Sequence, residues 1–402
     1  MTGLVSGLAS PALAQQQNPV SPPVQSASLQ SQAAAGQAEA QYQLGLQLQR
    51  GEALLQDYAA AVIWLRRAAE QGHVAAQTRL GQSYLHGLGL AQDPEQALVW
   101  LRRAAASGAP EPQFQLASLL EQGPASLADP VQAAQLYALA AEQGHIDASV
   151  SLGVLYQNGI GVGQDPVRAR QLYEGPAQAG HARALNNLGL IYVRGAGVAQ
   201  DYALAAQLFQ AAAERGLAVA LNNLGTLYEN GFGVDLDEAR AEALYRQAAD
   251  LERGGASLIS RTRPGALYDP SPAMPDLGGS GLSQLQTRAK AGDVQAQFQL
   301  GWLMLQPAAG ADRETEAQAL ALLQAAARGG QPAAMGNLAL LYVEGRLLPQ
   351  DYMLGYMWLV LAIAAGQPEA PALAESLAAQ LPPAQLRAAQ DRAAALVAAA
   401  RP

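Results

Sequence analysis

The chain has 402 residues, half of them hydrophobic but only 5% aromatic, with 14% charged residues and a net charge of −9. An acidic chain without a Lys/Arg cluster is poorly suited to nucleic acid, where phosphate neutralisation supplies most non-specific affinity, and is repelled from anionic lipid for the same reason. The absence of cysteine excludes disulfides, thiolate metal sites and a lipidated N-terminal Cys, and no apolar run approaches the ~18 residues of a membrane span.

Residues 1–14, MTGLVSGLASPALA, are small and apolar and end in Ala12-Leu13-Ala14, the small-x-small pattern of a signal-peptidase site. A basic n-region is missing, so the stretch reads either as a truncated signal peptide whose start lies upstream or as an Ala-rich tail. The first reading implies export to the periplasm; the alternative is a cytoplasmic protein. A Gln/Pro/Ser-rich segment at 15–35 has the composition of a disordered linker.

From residue 36 to 252 the chain repeats itself. Leu followed by Gly or Ala falls at 44–45, 80–81, 116–117, 152–153, 188–189 and 224–225, every step being 36 residues. A fixed period of this size marks a solenoid. Each copy reads as two helices. In the fifth, Ala184, Leu188 and Tyr192 recur at i, i+4, i+8 and share one helical face. Gly189 lies near that face, and a mid-helix Gly costs about 1 kcal/mol against Ala. Close approach of a neighbouring helix offsets that cost, which fits Ala117 and Ala339 as the other residues at this place. The first helix ends at Gly195-Ala196-Gly197, and glycine past a helix end relieves left-handed backbone strain. An Asp follows at 57, 93, 129, 165, 201, 237 and 351, three times with Pro after it, which predicts the cap of a second helix. That helix carries Ala205, Leu208, Ala212 and Ala213 and stops at Gly216, with Trp64, Trp100 and Trp358 in the place of Leu208. A hairpin this short cannot bury its apolar stripe alone, so successive hairpins must stack.

These residues resemble the Sel-one-like repeat family, a relative of the tetratricopeptide repeat. Its pattern, A-x3-L-G-x2-Y-x2-G-x-G-V-x2-D-x3-A-x2-W-x3-AA-x2-G, fits residues 184–216 almost letter by letter. The resemblance implies an all-α fold, a right-handed alpha-alpha superhelix of about eight helix-turn-helix repeats. The third copy departs from it, with Gly123-Pro124-Ala125-Ser126-Leu127 in place of the Gly-x-Gly-Val loop. Residues 253–283 are rich in Gly, Pro and Ser and read as a linker or as a docked loop, for which Leu258, Ile259, Leu267, Tyr268 and Met274 supply apolar contacts. Residues 284–366 follow as a lone helix and two more repeats, marked by Leu300-Gly301 and Leu338-Ala339. The seventh repeat has Gln306-Pro307-Ala308-Ala309-Gly310 at its loop and drifts in register. Residues 367–402 form two further helices that cap the open end.

Chemistry is scarce. The Gly-x-Gly pairs follow helices rather than strands, and Gln164 stands where a dinucleotide fingerprint needs its third glycine after Gly159 and Gly161, so no cofactor is expected. His73, His145 and His181 each follow the Gly that ends a hairpin, while His86 ends a first helix. Equivalent positions in successive repeats stand at least ~8–10 Å apart, whereas metal ligands converge to ~2.0–2.1 Å of the ion, so these read as exposed residues near helix starts and no metal is expected. Asp235 and Asp237 resemble a carboxylate pair, yet Asp237 is the helix cap of the sixth repeat. No nucleophile elbow, Walker loop, H-E-x-x-H or EF-hand loop appears. Cysteine-rich relatives with hydrolase or penicillin-binding activity are a weak analogy for a chain without cysteine, and the chain reads as no enzyme.

ALNNLG occurs at both 184–189 and 220–225. On a helical wheel Ala184, Leu185, Leu188 and Tyr192 span the packed side. Asn186, Leu190, Val193 and Arg194 gather opposite, with Asn187 at the edge. In solenoids of this type the first helices line the concave surface. Asn186 and Asn222 then stack in neighbouring repeats, joined by Asn187, Asn223 and Asn337. Amides offer both donor and acceptor to an extended peptide backbone, with Val150, Val154 and Leu190 for apolar contact and Arg183 and Arg194 for a carboxylate. Glu229 completes the candidate groove. The competing reading is that the asparagines bridge adjacent helices and bind nothing. The resemblance implies a protein–protein adaptor, holding a peptide or partner helix and, if exported, acting in the bacterial envelope. The alternative is an envelope polysaccharide or peptidoglycan binder, which requires aromatic platforms along the groove.

Overall fold

A computed structural model describes residues 24–51, 54–255, 278, 280–306, 313–345 and 347–399. Among them are twenty α-helices and no strand, and consecutive helices pack in pairs as an α-α solenoid. Residues 1–14, most of 253–283 and the seventh-repeat loop lie outside the described residues. The disordered linker expected over 15–35 is corrected in its second half, where Val24–Ala34 is a helix packed on the first repeat through Leu29 and Ala33. The second helix of repeat six, Glu238–Gly255, also outlasts the repeat pattern.

Local signals explain the helix ends. Asp57, Asp93, Asp129, Asp165, Asp201, Asp237 and Asp351 each accept a hydrogen bond from the backbone N–H three residues on, at 2.8–3.0 Å. Gly87, Gly159, Gly195 and Gly231 end the first helices in the left-handed conformation. A second turn glycine joins neighbouring repeats. A Cβ on Gly89 or Gly161 would lie 2.1 Å from the carbonyl oxygen of Tyr58 or Pro130, at the start of the preceding repeat's second helix. In repeat eight Leu347 holds this place at φ 64°, and its side chain packs against the C-terminal core.

The two helices of a hairpin meet through a small residue facing a large one. A Cβ at Gly45 or Gly81 would fall 2.8 Å from the side chain of Leu65 or Leu101, and at Gly153, Gly189 or Gly225 it would fall 2.4–2.7 Å from the ring of Tyr173, Phe209 or Tyr245. The large residue follows the Trp/Leu208 position by one: Phe209 is 1% exposed, while Leu208 is only half-buried. In repeat eight Ala339 is the small residue and Gly355 adds a second one, where a Cβ would fall 2.6 Å from the Val343 side chain.

The second array, with helices at Gly281–Lys290, Val294–Met304, Arg313–Arg328, Pro332–Glu344 and Tyr352–Ala364, ends in two cap helices, Ala370–Ala378 and Pro383–Ala399, both packed on Tyr352–Ala364. The chain then returns to its own beginning. The Tyr356 hydroxyl donates to Gln56 Oε1 at 2.5 Å, the Tyr58 N–H donates to Gln390 Oε1 at 3.4 Å, and Leu55 and Leu88 pack against the C-terminal core. The turns of repeats one and two thus rest on the last repeat and its cap.

Replacing Gly189 by Ala gains about 1 kcal/mol of helix propensity but overpacks the Phe209 contact at a cost of about 1–3 kcal/mol. A net loss of roughly 1 kcal/mol, seen as a lower urea midpoint, is expected for Gly189→Ala, and Phe209→Leu in the same chain should recover part of it. A Gly189→Ala midpoint above that of the parent would contradict the close approach.

Candidate functional site

The candidate face is built from the first helices of repeats four to six, Ile146–Asn158, Ala182–Arg194 and Ala218–Asn230. Arg183 and Arg194 are exposed on it, and among the described residues neither forms an ion pair. Leu190 and Asn222 are half-buried, with Leu190 packed on the core of repeats four to six. Glu229 is exposed and accepts a hydrogen bond from the Tyr245 hydroxyl at 2.9 Å.

Asn186 is corrected. It is 5% exposed, and its side-chain oxygen accepts from Asn223 Nδ2 at 2.7 Å, so it faces its neighbour rather than solvent. The bond joins Asn186 to Asn223, not to the expected Asn222, because the first asparagine of one repeat meets the second of the next. Asn337 and Val150 are fully buried and leave the candidate face too. Asn187 is half-buried within hydrogen-bonding reach of the Tyr173 hydroxyl. Ile191, not Tyr192, is the fully buried residue of that turn.

Behind this face runs a column of phenols. Tyr137 donates to Glu121 at 2.7 Å, Tyr173 to Gln157 at 3.1 Å and Tyr245 to Glu229 at 2.9 Å, each to the residue sixteen positions earlier. In repeat five the large residue is Phe209, with no hydroxyl, and Val193 stands where the acceptor would be. In repeats three to six the hydroxyl is present only where an acceptor stands sixteen positions earlier, which follows from the cost of burying an unpaired polar group; repeat one keeps Gln49 at the acceptor position although Leu65 has no hydroxyl.

The histidines are more than exposed residues at helix starts. Nδ1 of His73, His145 and His181 accepts from the N–H of Ala76, Ala148 and Ala184 at 3.2–3.3 Å, capping the first helix. Nε2 of each ring meets Glu39, Glu111 or Asp147 of the preceding repeat at 2.9–3.0 Å. The His73 and His145 rings also stack on Tyr42 and Phe114 with centroids 4.6 Å apart. One ring nitrogen therefore caps the helix and the other ties it to the preceding repeat. The signal was present as an acidic residue 34 positions before each of these three histidines.

The chain belongs to the Sel1 repeat family, whose profile matches residues 38–73, 74–108, 112–145, 146–181, 182–217, 218–252, 294–331 and 332–367. Sel1 repeat proteins are generally protein–protein interaction scaffolds and typically non-catalytic. The structure is similar to c5321, a protective antigen present in uropathogenic Escherichia coli strains and displaying an SLR fold, at 26% identity and a TM-score of 0.52 over 92% of this chain and 94% of that one. It is also similar to a Sel1 repeat protein from Oxalobacter formigenes, at 28% identity and a TM-score of 0.50 over 53% of this chain and 85% of that one. No curated protein matches the chain in sequence.

Burial holds the phenols of Tyr137, Tyr173 and Tyr356 above the ordinary tyrosine value of about 10. As pH rises past that value the unfolded chain gives up these protons while the folded chain keeps them. The stabilisation is therefore complete below about pH 10 and declines above it, by up to about 1.4 kcal/mol per pH unit for each phenol. Urea unfolding from about pH 9 to 11.5 should show a falling midpoint, less steep in Tyr173→Phe. A flat profile would contradict the burial of these hydroxyls.

Proposed function

We propose that this Sel1 repeat protein is a non-enzymatic adaptor of the bacterial envelope, whose first-helix face holds a peptide or a helix of a partner protein. The observation that carries the reading is the pair Arg183 and Arg194, exposed at the two ends of one first helix and without an ion pair among the described residues. Asn187, Leu190 and Asn222 lie nearby with amide and apolar surface partly open. Paired cations around an amide-rich strip suit a peptide that presents a carboxylate. Removal of Asn186 and Asn223 into an inter-repeat bond leaves the cations as the main determinants of binding.

Export is supported by the Ala12-Leu13-Ala14 pattern and by the likeness to a protein described as a protective antigen. The polysaccharide alternative needs exposed aromatic faces. On the first-helix face the aromatics Tyr156, Tyr192 and Tyr228 are half-buried, and the exposed Phe232 and Tyr352 lie at the turns and on a second helix, so this reading is not proposed.

Crosslinking in the native host, followed by recovery of the tagged chain, tests the adaptor reading. Arg183→Ala/Arg194→Ala/Asn222→Ala should keep its helix content and lose the partner recovered by the parent, a drop of at least roughly tenfold for two charge-assisted contacts. Undiminished recovery would count against this face. Intact-mass analysis of the chain expressed with its native upstream region should show residues 1–14 removed; their retention would sink the export claim.

A further inference from the structure

The turn edge of the solenoid, where first helices end and second helices begin, is covered in repeats one and two and bare in repeats four to six. In repeat two a Cβ on Gly87 would lie 3.1 Å from Pro383 Cγ, and Leu88 packs against the C-terminal core. In repeat one the Tyr58 N–H binds Gln390. Beyond it, Asp391 and Ala394 line a cavity of about 490 Å³ with Leu44 and Leu48. The helix Pro383–Ala399 therefore runs along the array, from repeat two to repeat one, and its contacts at Pro383 and Gln390 are seven residues apart. Seven residues of helix rise about 10.5 Å, so the helix spans from the end of repeat two's first helix to the start of repeat one's second helix.

The position of Leu88 recurs two and four repeats later as Ile160 and Phe232, which are 43% and 44% exposed. Val131, Val167 and Leu236 stand beside them, 54%, 41% and 64% exposed, and Phe232 is stacked on Tyr202 with ring centroids 5.0 Å apart. Ala196 holds the intervening position in repeat five. Scattered exposed apolar residues are ordinary in soluble proteins. These continue the edge on which the chain already seats a helix of its own. The exposed carboxylates Asp201, Asp235 and Asp237 border the strip.

We propose that the turn edge of repeats four to six is a docking surface for an amphipathic helix of another protein, antiparallel to the array. Apolar residues along one face of that helix cover Phe232, Ala196 and Ile160, and basic flanks meet the bordering carboxylates. This surface is distinct from the first-helix face, and the proposal does not rest on what binds there.

The probe is a synthetic peptide of residues 381–399, the helix that the chain seats on its own first turns, added to the full chain. Saturable binding is expected, weakened roughly tenfold by Ile160→Ser/Phe232→Ser and unchanged by Leu139→Ser, which removes an exposed apolar residue elsewhere. The chain has no cysteine, so I160C and F232C each offer a single thiol. A peptide carrying P383C should crosslink to F232C, and one carrying V397C to I160C, faster than the swapped pairs. Absent binding, binding indifferent to the double substitution, or crosslinking without this pairing would overturn the proposal. Self-association of the parent chain that is lost in Ile160→Ser/Phe232→Ser would also overturn it, by placing a second copy on the edge.

Discussion

A Cβ on Gly153 would sit 2.4 Å from the ring of Tyr173, closer than two carbon atoms can approach. That steric limit sets the distance between the two helices of a repeat, and the rest of the molecule depends on it. The missing side chain lets a large one from the facing helix fill the gap, so a short hairpin of mostly alanine gains a dense core without many aromatics. Repeated at a fixed step, the same contact presents each hairpin to the next with the same geometry. Capping aspartates fix where each second helix begins, and turn glycines and histidine–carboxylate bridges fasten one repeat to its neighbour.

Most of this architecture could be read from sequence because a repeat supplies its own controls. Gly189 was identifiable as a close approach because Ala alone replaces it, and the Asp caps because they recur at one register. The partner of Gly189 is harder to read because the tryptophans at 64, 100 and 358 mark the position one residue before the column that faces the glycines, where Leu65, Leu101, Tyr137, Tyr173, Phe209 and Tyr245 are all large. Asn186 was misplaced for a related reason. A wheel drawn on one helix shows its outer side but not that the neighbouring first helix covers that side, so the asparagine looked open when it is paired with Asn223. The return of the C-terminus to repeats one and two left no local trace either, since it depends on curvature accumulated over the whole array.

That return bears on function. An array whose last repeat touches its first has its ends held, through Gln56, Tyr356 and Gln390, and a fixed end-to-end arrangement keeps the faces of the intervening repeats in register. Two surfaces remain available under this arrangement, one of first helices with exposed arginines and one of turns with exposed apolar residues. They differ in chemistry, the first suited to a carboxylate-bearing peptide and the second to an apolar helix face. A scaffold gains from such a division because two partners can be held at once, at a separation fixed by the repeats between them.

The repeat as the physical unit is tested most directly by removing one. Deleting residues 182–217 joins His181 to Ala218, restoring the cap that Leu217 does not provide and leaving every remaining hairpin with a neighbour of the usual kind. The account predicts that circular dichroism per residue is unchanged, while solution scattering reports a changed shape because the last repeat no longer meets Gln56. A loss of helix per residue, no smaller than that caused by deleting half a repeat, would show that the hairpins are not equivalent units and would contradict it.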